Sequence, residues 1–527
     1  MLIRRDVLKF AVGSLAVHTG NVLTAQTALA QANGAPAGGA PGGPVPAAPA
    51  SFNHASVVEE ARALAKKSFK APSNDLPEPF NALNYESYVG IVRKPKTSLW
   101  MGDNLGFAIE PLHRGFLFSA PVDINIVDGG NVSRLVYSPA DYDFGALKVP
   151  QDMRDIGFSG MRILQTSNGN APTDVALFQG ASFFRAVARG QAFGDMARGL
   201  TIRTADPRGE EFPVFRTLWI ERPSLGNDAL IVHALLDSES ATGAYQFTIR
   251  PGDATIIDTE LVLFPRVTID HFGVGAMTGM SLLGPMDRRK LDDLRPGVYE
   301  TEGLQIANGG GEWLWRPASN RDTLEVSAFV DENPRGFGFL QRNRDFTRFQ
   351  DDEQHWELRP SLWIEPIGDW GAGSVVLVEI PNESEINKNI IAYWRPNAPL
   401  AAGTEAQFAY RQFWCWNPPS KPPLAVVTQS RSGRPPGAPA NTRKRRYLVE
   451  FSGDNLGDAQ RTPDISQKLT CSVGSINNIR NYLSRDHKTY RVTFDLDPGN
   501  DTLCELRLEL QSQGKPISEA WLYRWTQ

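Results

Sequence analysis

The sequence is poor in cysteine and histidine, the residues that most often bind transition metals. Its 527 residues include 3 cysteines and 7 histidines, and neither type recurs at a metal-ligand spacing. These absences exclude a zinc site built on the usual Cys and His motifs. Cys415, Cys471 and Cys504 are an odd number. For the last two, both alternatives stay open: a disulfide within the last domain or two buried apolar thiols.

Long apolar runs are also missing. Beyond residues 1–30, no segment approaches the roughly eighteen consecutive apolar residues that a membrane-spanning helix needs, so no stable membrane anchor is expected. Arg4 and Arg5 precede a weakly apolar stretch that ends in the small-residue site ALA at 28–30. This pattern predicts a twin-arginine signal peptide at 1–30 and a periplasmic protein, with the general export route as the alternative.

An excess of positive charge is absent as well, since the formal net charge is −5. One basic run, RKRR at residues 443–446, has the composition of a nucleic-acid patch. In an exported chain with an acidic balance, a solvated turn explains it better. The sequence therefore predicts no nucleic-acid partner.

Helical periodicity is scarce. Residues 31–50 are almost wholly Ala, Gly and Pro, which predicts a disordered linker, and residues 55–67 fit one amphipathic helix. From about residue 85 the chain consists of short apolar segments separated by turn residues, such as those at 115–118 and 245–249. This pattern is typical of sandwich sheets rather than of alternating strands and helices.

A proline-rich stretch predicts the main domain boundary. Proline cannot donate to a sheet ladder, and residues 417–442 contain many prolines, so we interpret them as a linker. They would separate a large β-sandwich domain at 51–416 from a small immunoglobulin-like β-sandwich at 443–527.

What the chain has in abundance is aromatic residues among charges in one region. Tryptophan occurs 12 times, and six of these fall within residues 292–394. Aromatic faces cover the apolar faces of sugars while carboxylates and guanidinium groups bind hydroxyls, so a carbohydrate cleft is one hypothesis. An ordinary β-sheet core is the other. The candidate substrate-binding residues are Arg295, Tyr299, Glu302, Trp313, Trp315, Arg316, Arg335, Trp363, Trp370, Lys388 and Trp394.

Several ordered motifs point to one family. They include FQGASFFR at 178–185, GEWLWRP at 311–317, NPRGFG at 333–338 and RPSLW at 359–363. With these motifs the chain resembles the periplasmic glucan biosynthesis proteins of Gram-negative bacteria, the MdoG/OpgG and OpgD family. Its signal type is similar to that of the OpgD branch.

The resemblance implies an all-β fold, in which a large N-terminal β-sandwich with a glucan cleft precedes a small immunoglobulin-like β-sandwich. It implies binding of β-1,2-linked glucan, and in some members inverting endo-β-1,2-glucanase or transglycosylase activity. Membrane-bound glucan synthesis machinery is the implied protein partner, and no cofactor is implied.

The family's catalytic positions differ in this chain. The run RPGVYETEG at 295–303 aligns with the family's base motif and places Glu300 where the family has Asp. The family's acid, the Asp of an Asn-Asp-Asn motif, corresponds to Lys388. An ammonium group of ordinary pKa is too weak an acid to protonate a glycosidic oxygen efficiently. Glu383 and Glu385 are the candidate replacement acids. Glu300 thus favours an enzyme, and Lys388 favours a non-catalytic glucan-binding or scaffold protein.

Overall fold

The computed structural model describes residues 51–150, 153–167, 170–287, 292–456, 464–485 and 488–527. The predicted signal peptide at 1–30 and the predicted linker at 31–50 lie outside the described residues. Within the described part of the chain, no helix is long and apolar enough to cross a membrane.

Two α-helices and six short 3₁₀ helices occur among these residues. The helices are α1 (His54–Ala65) and α2 (Tyr85–Val89), and the 3₁₀ helices span Phe80–Ala82, Pro95–Thr97, Pro139–Asp141, Phe346–Arg348, Trp356–Leu358 and Asp454–Leu456.

Strands make up most of the remainder. They are β1 (Val92–Arg93), β2 (Phe107–Leu112), β3 (Asp123–Asp128), β4 (Asn131–Arg134), β5 (Tyr142–Asp143), β6 (Gly160–Gln165), β7 (Thr173–Gln179), β8 (Phe183–Ala186), β9 (Met196–Arg198), β10 (Thr201–Ile202), β11 (Val214–Glu221), β12 (Leu230–Asp237), β13 (Ala241–Arg250), β14 (Ala254–Pro265), β15 (Phe272–Gly279), β16 (Ser281–Leu283), β17 (Val298–Tyr299), β18 (Gly303–Ala307), β19 (Trp313–Pro317), β20 (Glu325–Glu332), β21 (Gly336–Leu340), β22 (Ser361–Ile367), β23 (Ala372–Glu379), β24 (Ile390–Pro396), β25 (Ala406–Cys415), β26 (Val426–Gly433), β27 (Arg445–Ser452), β28 (Ile465–Cys471), β29 (Ser475–Leu483), β30 (Thr489–Asp497), β31 (Leu503–Ser512), β32 (Lys515–Pro516) and β33 (Ala520–Thr526).

Two large sheets form a sandwich in the first three quarters of the chain. One sheet has the order β2-β6-β7-β8-β9-β15-β24-β23-β20, and β10 also pairs with β15. The facing sheet runs β19-β18-β21-β22-β25-β14-β13-β12-β11-β3-β4. Side chains from both sheets, such as Phe178, Met277, Phe247 and Ile364, share one buried core. The prediction of an all-β fold is confirmed.

A second core lies at the C-terminal end. A four-stranded sheet with the order β26-β27-β30-β29 packs over β28, β31 and β33, with Tyr447, Phe494 and Trp521 buried between them. β33 continues directly into the large sheet, since it pairs in parallel with β19 through Leu314↔Ala520 and Trp315↔Trp521. One sheet therefore runs through both cores.

Helix α1 begins as its sequence predicts. Asn53 caps the helix, because its side chain accepts a hydrogen bond from the Ser56 N–H while the Ser56 hydroxyl accepts one from the Asn53 N–H. Val57 and Ala61 are buried against strands of the large sheet, in contact with residues such as Trp219. The helix predicted at 55–67 is observed at His54–Ala65.

Two other segments differ from their predicted local structure. The segment 115–118, interpreted as a strand, is a tight turn in which Phe116 has a φ of 52°. Within the segment interpreted as the 417–442 linker, Val426–Gly433 is strand β26 and belongs to the C-terminal sheet. The three cysteines are free thiols in the structure.

Candidate functional site

Strands β16 and β17 place Glu300 in the protein interior. These two short strands pair in antiparallel fashion with Ser281 opposite Tyr299. The chain then turns inward, and the N–H groups of Glu300 and Thr301 both donate to the Met280 carbonyl at 3.0 and 3.1 Å. Glu300 is only 1% exposed, so its carboxylate needs a partner within the protein.

The loop between β23 and β24 places Lys388 opposite Glu300. The buried Asn389 side chain holds this loop to β16, because its Oδ1 accepts the Ser281 N–H at 2.9 Å and its Nδ2 donates to the Ser281 carbonyl at 3.0 Å. The same Nδ2 donates to the Ile380 carbonyl at 3.1 Å. The position of Lys388 is therefore fixed by its neighbour in the chain.

Lys388 and Glu300 form a buried ion pair. The Lys388 ammonium donates to Glu300 Oε1 and also to the Gly194 carbonyl at 3.2 Å, and its side chain is 11% exposed. Burial lowers the pKa of Lys388, and the charge of Glu300 opposes that shift. Two groups from segments far apart in sequence thus neutralise each other inside the protein.

Asp195 is a third ionisable group at this position, and no sequence motif indicated it. It is 1% exposed, and its Oδ1 accepts a hydrogen bond from the Thr301 hydroxyl at 2.7 Å. Its Oδ2 is buried and receives no hydrogen bond from a donor among the described residues. Burial, and then the negative charge of Glu300, raise the pKa of Asp195 well above its ordinary value. A neutral Asp195 would donate its proton to Glu300 and so satisfy both oxygens.

Two glycines allow these groups to approach one another. A Cβ atom at Gly279 would lie 1.9 Å from Thr301 Oγ1 and 2.4 Å from Asp195 Oδ1. A Cβ atom at Gly194 would lie 2.9 Å from Arg359 Cβ. Any larger residue at these positions would displace the groups that face Glu300.

Two arginines complete the cluster. Arg185, on β8, is 8% exposed and lies over the Phe193 ring at 5.5 Å. Arg359 follows the 3₁₀ helix Trp356–Leu358 and donates to the main-chain and side-chain oxygens of Gln354 at 2.7 and 3.2 Å. Burial lowers the pKa of both guanidinium groups, to about 9 for Arg185, and the charge of Glu300 opposes the shift in both. Glu300 therefore faces three cations.

A neighbouring network holds Arg295 and Glu385. Arg295 donates to Asp351 at 2.6 Å, to Asp293 at 2.8 Å and to Glu385 at 2.5 Å. Glu385 is thus already ion-paired, whereas Glu383 is exposed at the surface. The structure brings neither replacement acid into contact with the pair formed by Lys388 and Glu300.

The tryptophans predicted to contact substrate lie in the cores. Trp313 stacks on Trp363 with ring centroids 6.0 Å apart, and the Arg342 guanidinium lies 3.6 Å from the Trp315 ring centroid. The exposed fractions are 8% for Trp313, 2% for Trp315, 0% for Trp363, 6% for Trp370 and 0% for Trp394.

The remaining predicted residues have structural contacts of their own. Tyr299 packs on Phe349, with ring centroids 4.8 Å apart. Glu302 is buried and accepts backbone N–H groups at 2.9 and 2.8 Å, and Arg316 forms a buried ion pair with Glu379 at 2.7 Å. Arg335 is exposed. Glu300 and Lys388, the positions aligned with the family's base and acid, are joined directly by the structure, as Arg295 and Glu385 are in the neighbouring network.

Glu300 and Asp195 lie closer together than the two carboxyl groups of an inverting hydrolase. Inverting hydrolysis needs two carboxyl groups about 6.5–9.5 Å apart, so that water fits between the base and the sugar. Glu300 is in hydrogen-bond contact with Lys388, and Asp195 lies against the same carboxylate. In this geometry Glu300 serves as the partner of a cation.

Known proteins match almost the whole chain. Residues 52–525 match the family described as periplasmic glucan biosynthesis protein, MdoG. The protein named glucans biosynthesis protein G from Vibrio cholerae serotype O1 (strain M66-2) is 44% identical over 478 residues, which cover 90% of this chain and 87% of the relative. The proteins of that name from Shewanella sp. (strain ANA-3) and Shewanella baltica (strain OS195) are each 44% identical over 480 residues, covering 90% of this chain and 87% and 88% of theirs. A likeness to the Slr1438 protein of Synechocystis sp. PCC 6803 is slight, with a TM-score of 0.14 and 9% identity over 49% of this chain and 91% of that chain.

Proposed function

Because this chain belongs to the periplasmic glucan biosynthesis family MdoG, we propose that it serves that pathway by holding a glucan chain rather than by hydrolysing it. The observation that carries the proposal is the buried ion pair between Lys388 and Glu300. The family resemblance assigns the acid to position 388 and the base to position 300. Here the first is an ammonium group and the second is its counter-ion, so neither is available for proton transfer in the usual way.

The ligand we propose is a β-1,2-linked glucan, as the family resemblance implies. The protein would hold the nascent or finished chain for the membrane-bound synthesis machinery. Transglycosylation is disfavoured by the same observation, because it also needs a group that protonates the departing oxygen. Asp195, Glu300 and the cations around them would then bind hydroxyl groups.

The direct test is to incubate the mature protein with linear and cyclic β-1,2-glucans, with other β-glucans alongside, and to analyse the products. We expect binding of β-1,2-glucan by calorimetry at about millimolar to micromolar strength, corresponding to roughly −4 to −8 kcal/mol, with little or no cleavage. A folded protein that gives no heat and no mobility shift at high glucan concentration would contradict the binding proposal.

Lys388→Asp tests whether the missing acid limits cleavage. General acid assistance contributes about 10²–10⁴-fold in rate, so a carboxyl group at this position should raise β-1,2-glucan hydrolysis measurably. Glu300→Gln should abolish the gain, while Glu86→Gln, at an exposed position away from the site, serves as the matched control. Vigorous hydrolysis by the wild-type protein that survives Lys388→Ala would show that another acid acts in this chain.

We also propose export by the twin-arginine route. Arg4 and Arg5 begin the pattern on which this proposal depends. Changing both to Lys should leave the precursor in the cytoplasm, as measured by fractionation and immunoblotting. Undiminished export of that variant would instead indicate the general secretory route.

A further inference from the structure

We propose that the cluster around Arg185 is a binding site for an anionic group, a carboxylate or a phosphate, carried by the ligand or free in solution. This inference rests on the proposed function, because it places the anionic group in the site proposed to hold the glucan. Two features carry it: a buried guanidinium group that forms no ion pair among the described residues, and contact of the cluster with solvent at Lys388.

Arg185 is the first of these features. Its side chain belongs to β8, whose four residues are all buried, and it is 8% exposed. Its Nε is buried without a hydrogen-bond partner, and no other residue in the described ranges forms a hydrogen bond or an ion pair with this guanidinium. Asp174, the nearest acidic residue on the neighbouring strand β7, is already bound by Arg162, with Nη2 to Oδ2 at 2.9 Å. Buried charges in proteins are nearly always paired, so Arg185 is an exception that needs a reason.

The two guanidinium groups of the cluster have no carboxylate in ion-pair contact. Lys388 uses the Glu300 carboxylate, and Arg359 donates to the neutral oxygens of Gln354. Burial, and then the Glu300 charge, raise the pKa of Asp195 well above its ordinary value. Arg185 and Arg359 therefore form no ion pair among the described residues, although Asp351 and Glu357 raise the pKa of Arg359 from a greater distance.

An anionic group on the ligand would give these guanidinium groups an ion-pair partner. A guanidinium group presents parallel N–H donors that match the two oxygens of a carboxylate or phosphate, and such charge-assisted pairs are stronger than bonds to a neutral hydroxyl. The Lys388 side chain is 11% exposed, so solvent reaches the cluster at this edge. The free protein keeps an unfavourable buried charge that binding of an anion would neutralise.

Binding to four probes tests the site. Calorimetry would compare glucose, glucuronate, glucose 6-phosphate and inorganic phosphate on the mature full-length protein. Since a hydrogen bond to a charged group contributes about 1.5–3 kcal/mol, both charged sugars should bind at least about tenfold more tightly than glucose. Phosphate that binds as well as glucose 6-phosphate indicates that the anion alone is recognised, whereas a clear advantage for the sugar phosphate indicates an anionic sugar. Equal affinity for glucose and for the three anions would overturn the proposal.

Variants of Arg185 separate a binding role from a structural one. Arg185→Met should abolish the preference for anions, Arg185→Lys should retain part of it, and Arg189→Met, at an exposed arginine four residues along the chain, should leave it unchanged. Because an unpaired buried cation costs stability, Arg185→Met should raise Tm in the absence of anions. Phosphate should raise the Tm of the wild type but not of Arg185→Met. A lower Tm for Arg185→Met together with an unchanged response to phosphate would assign Arg185 a purely structural role.

The same measurements keep the two proposals distinct. Neutral β-1,2-glucan that binds wild type and Arg185→Met equally, with no preference for anions in either, would refute the anionic site and leave glucan holding intact. Anion binding that depends on Arg185, in a protein that binds no neutral glucan, would refute glucan holding and leave the anionic site intact.

Discussion

At the scale of single residues, the interior of the site is organised by charge neutralisation. Glu300 is surrounded by Lys388, Arg185 and Arg359, and burial raises the pKa of the neighbouring Asp195. Removing the carboxylate would therefore leave three buried cations, whereas removing the ammonium group would leave two guanidinium groups to compensate the carboxylate. The two partners of the ion pair should not be equally sensitive to substitution.

We expect Glu300→Gln to lower the free energy of unfolding by about 3–5 kcal/mol, the usual cost of breaking a buried pair on one side. Lys388→Met should cost less, because Arg185 and Arg359 still face the carboxylate. Urea unfolding at neutral pH measures both values. The exposed Glu383→Gln should stay within about 0.5 kcal/mol of wild type. A larger loss for Lys388→Met than for Glu300→Gln would contradict this account of the charges.

Gly279 provides a steric prediction for the same site. Gly279→Ala would place a Cβ atom 1.9 Å from Thr301 Oγ1 and 2.4 Å from Asp195 Oδ1, so the backbone or both side chains must move. Overpacking of this kind typically costs about 1–3 kcal/mol in unfolding free energy, which thermal or urea unfolding can detect. Gly433→Ala, where no atom lies within 4 Å of the added Cβ, is the control and should be nearly neutral.

The sequence indicated only part of this site. Glu300 and Lys388 could be predicted because each lies in a motif with a known counterpart. Asp195 and Arg185 could not be assigned a role, since their proximity to Glu300 depends on contacts between segments about a hundred residues apart. A charged residue in the apolar run FFRA at 183–186 was the one available signal for Arg185. The tryptophans had two interpretations because strand cores and sugar sites use the same residues.

At the scale of elements, alternating segments and turn residues were enough to predict strands, but not every apolar run is a strand. Residues 245–249 lie within β13 as expected. Residues 115–118 have similar composition, yet Gly115 and Phe116 adopt φ values of 151° and 52°, which turn the chain. The Phe118 that follows is buried against the core. Burial in the core is therefore sufficient to explain an apolar side chain at Phe118, and strand pairing is not required.

The loop between β23 and β24 depends on Asn389. Its side chain makes the three hydrogen bonds that attach the loop to Ser281 and to Ile380. Asn389→Ala should therefore cost about 1–3 kcal/mol, because buried backbone groups lose their partners. Hydrogen exchange should show faster exchange at Ser281 and through the loop that contains Lys388. Asn387→Ala, at a less buried position of the same loop, should have a smaller effect; equal effects would contradict the anchoring role.

At the scale of the whole molecule, the two cores are joined by one buried carboxylate as well as by the pairing of β19 with β33. Glu519 is 0% exposed. It accepts hydrogen bonds from Arg342 and Gln305, which belong to the large sandwich, and from the Val427 N–H in β26. The distances from Glu519 to these three donors are 2.5, 2.8 and 2.7 Å. The predicted division at 417–442 thus coincides with a region where the two parts share a polar anchor.

This anchor predicts how the protein unfolds. With Glu519 in place, the two cores should unfold in a single calorimetric transition. Glu519→Ala leaves the partly buried Arg342 without its carboxylate and the Val427 N–H without its acceptor. The free energy of unfolding should fall by about 3–5 kcal/mol, and the lost contacts lie between the two cores. The variant should therefore show two transitions, with hydrogen exchange protection lost first in β26 through β33. Glu505→Ala, which breaks the more exposed pair with Arg524, should keep a single transition. One unshifted transition for Glu519→Ala would mean that the pairing of β19 with β33 couples the two cores without the carboxylate.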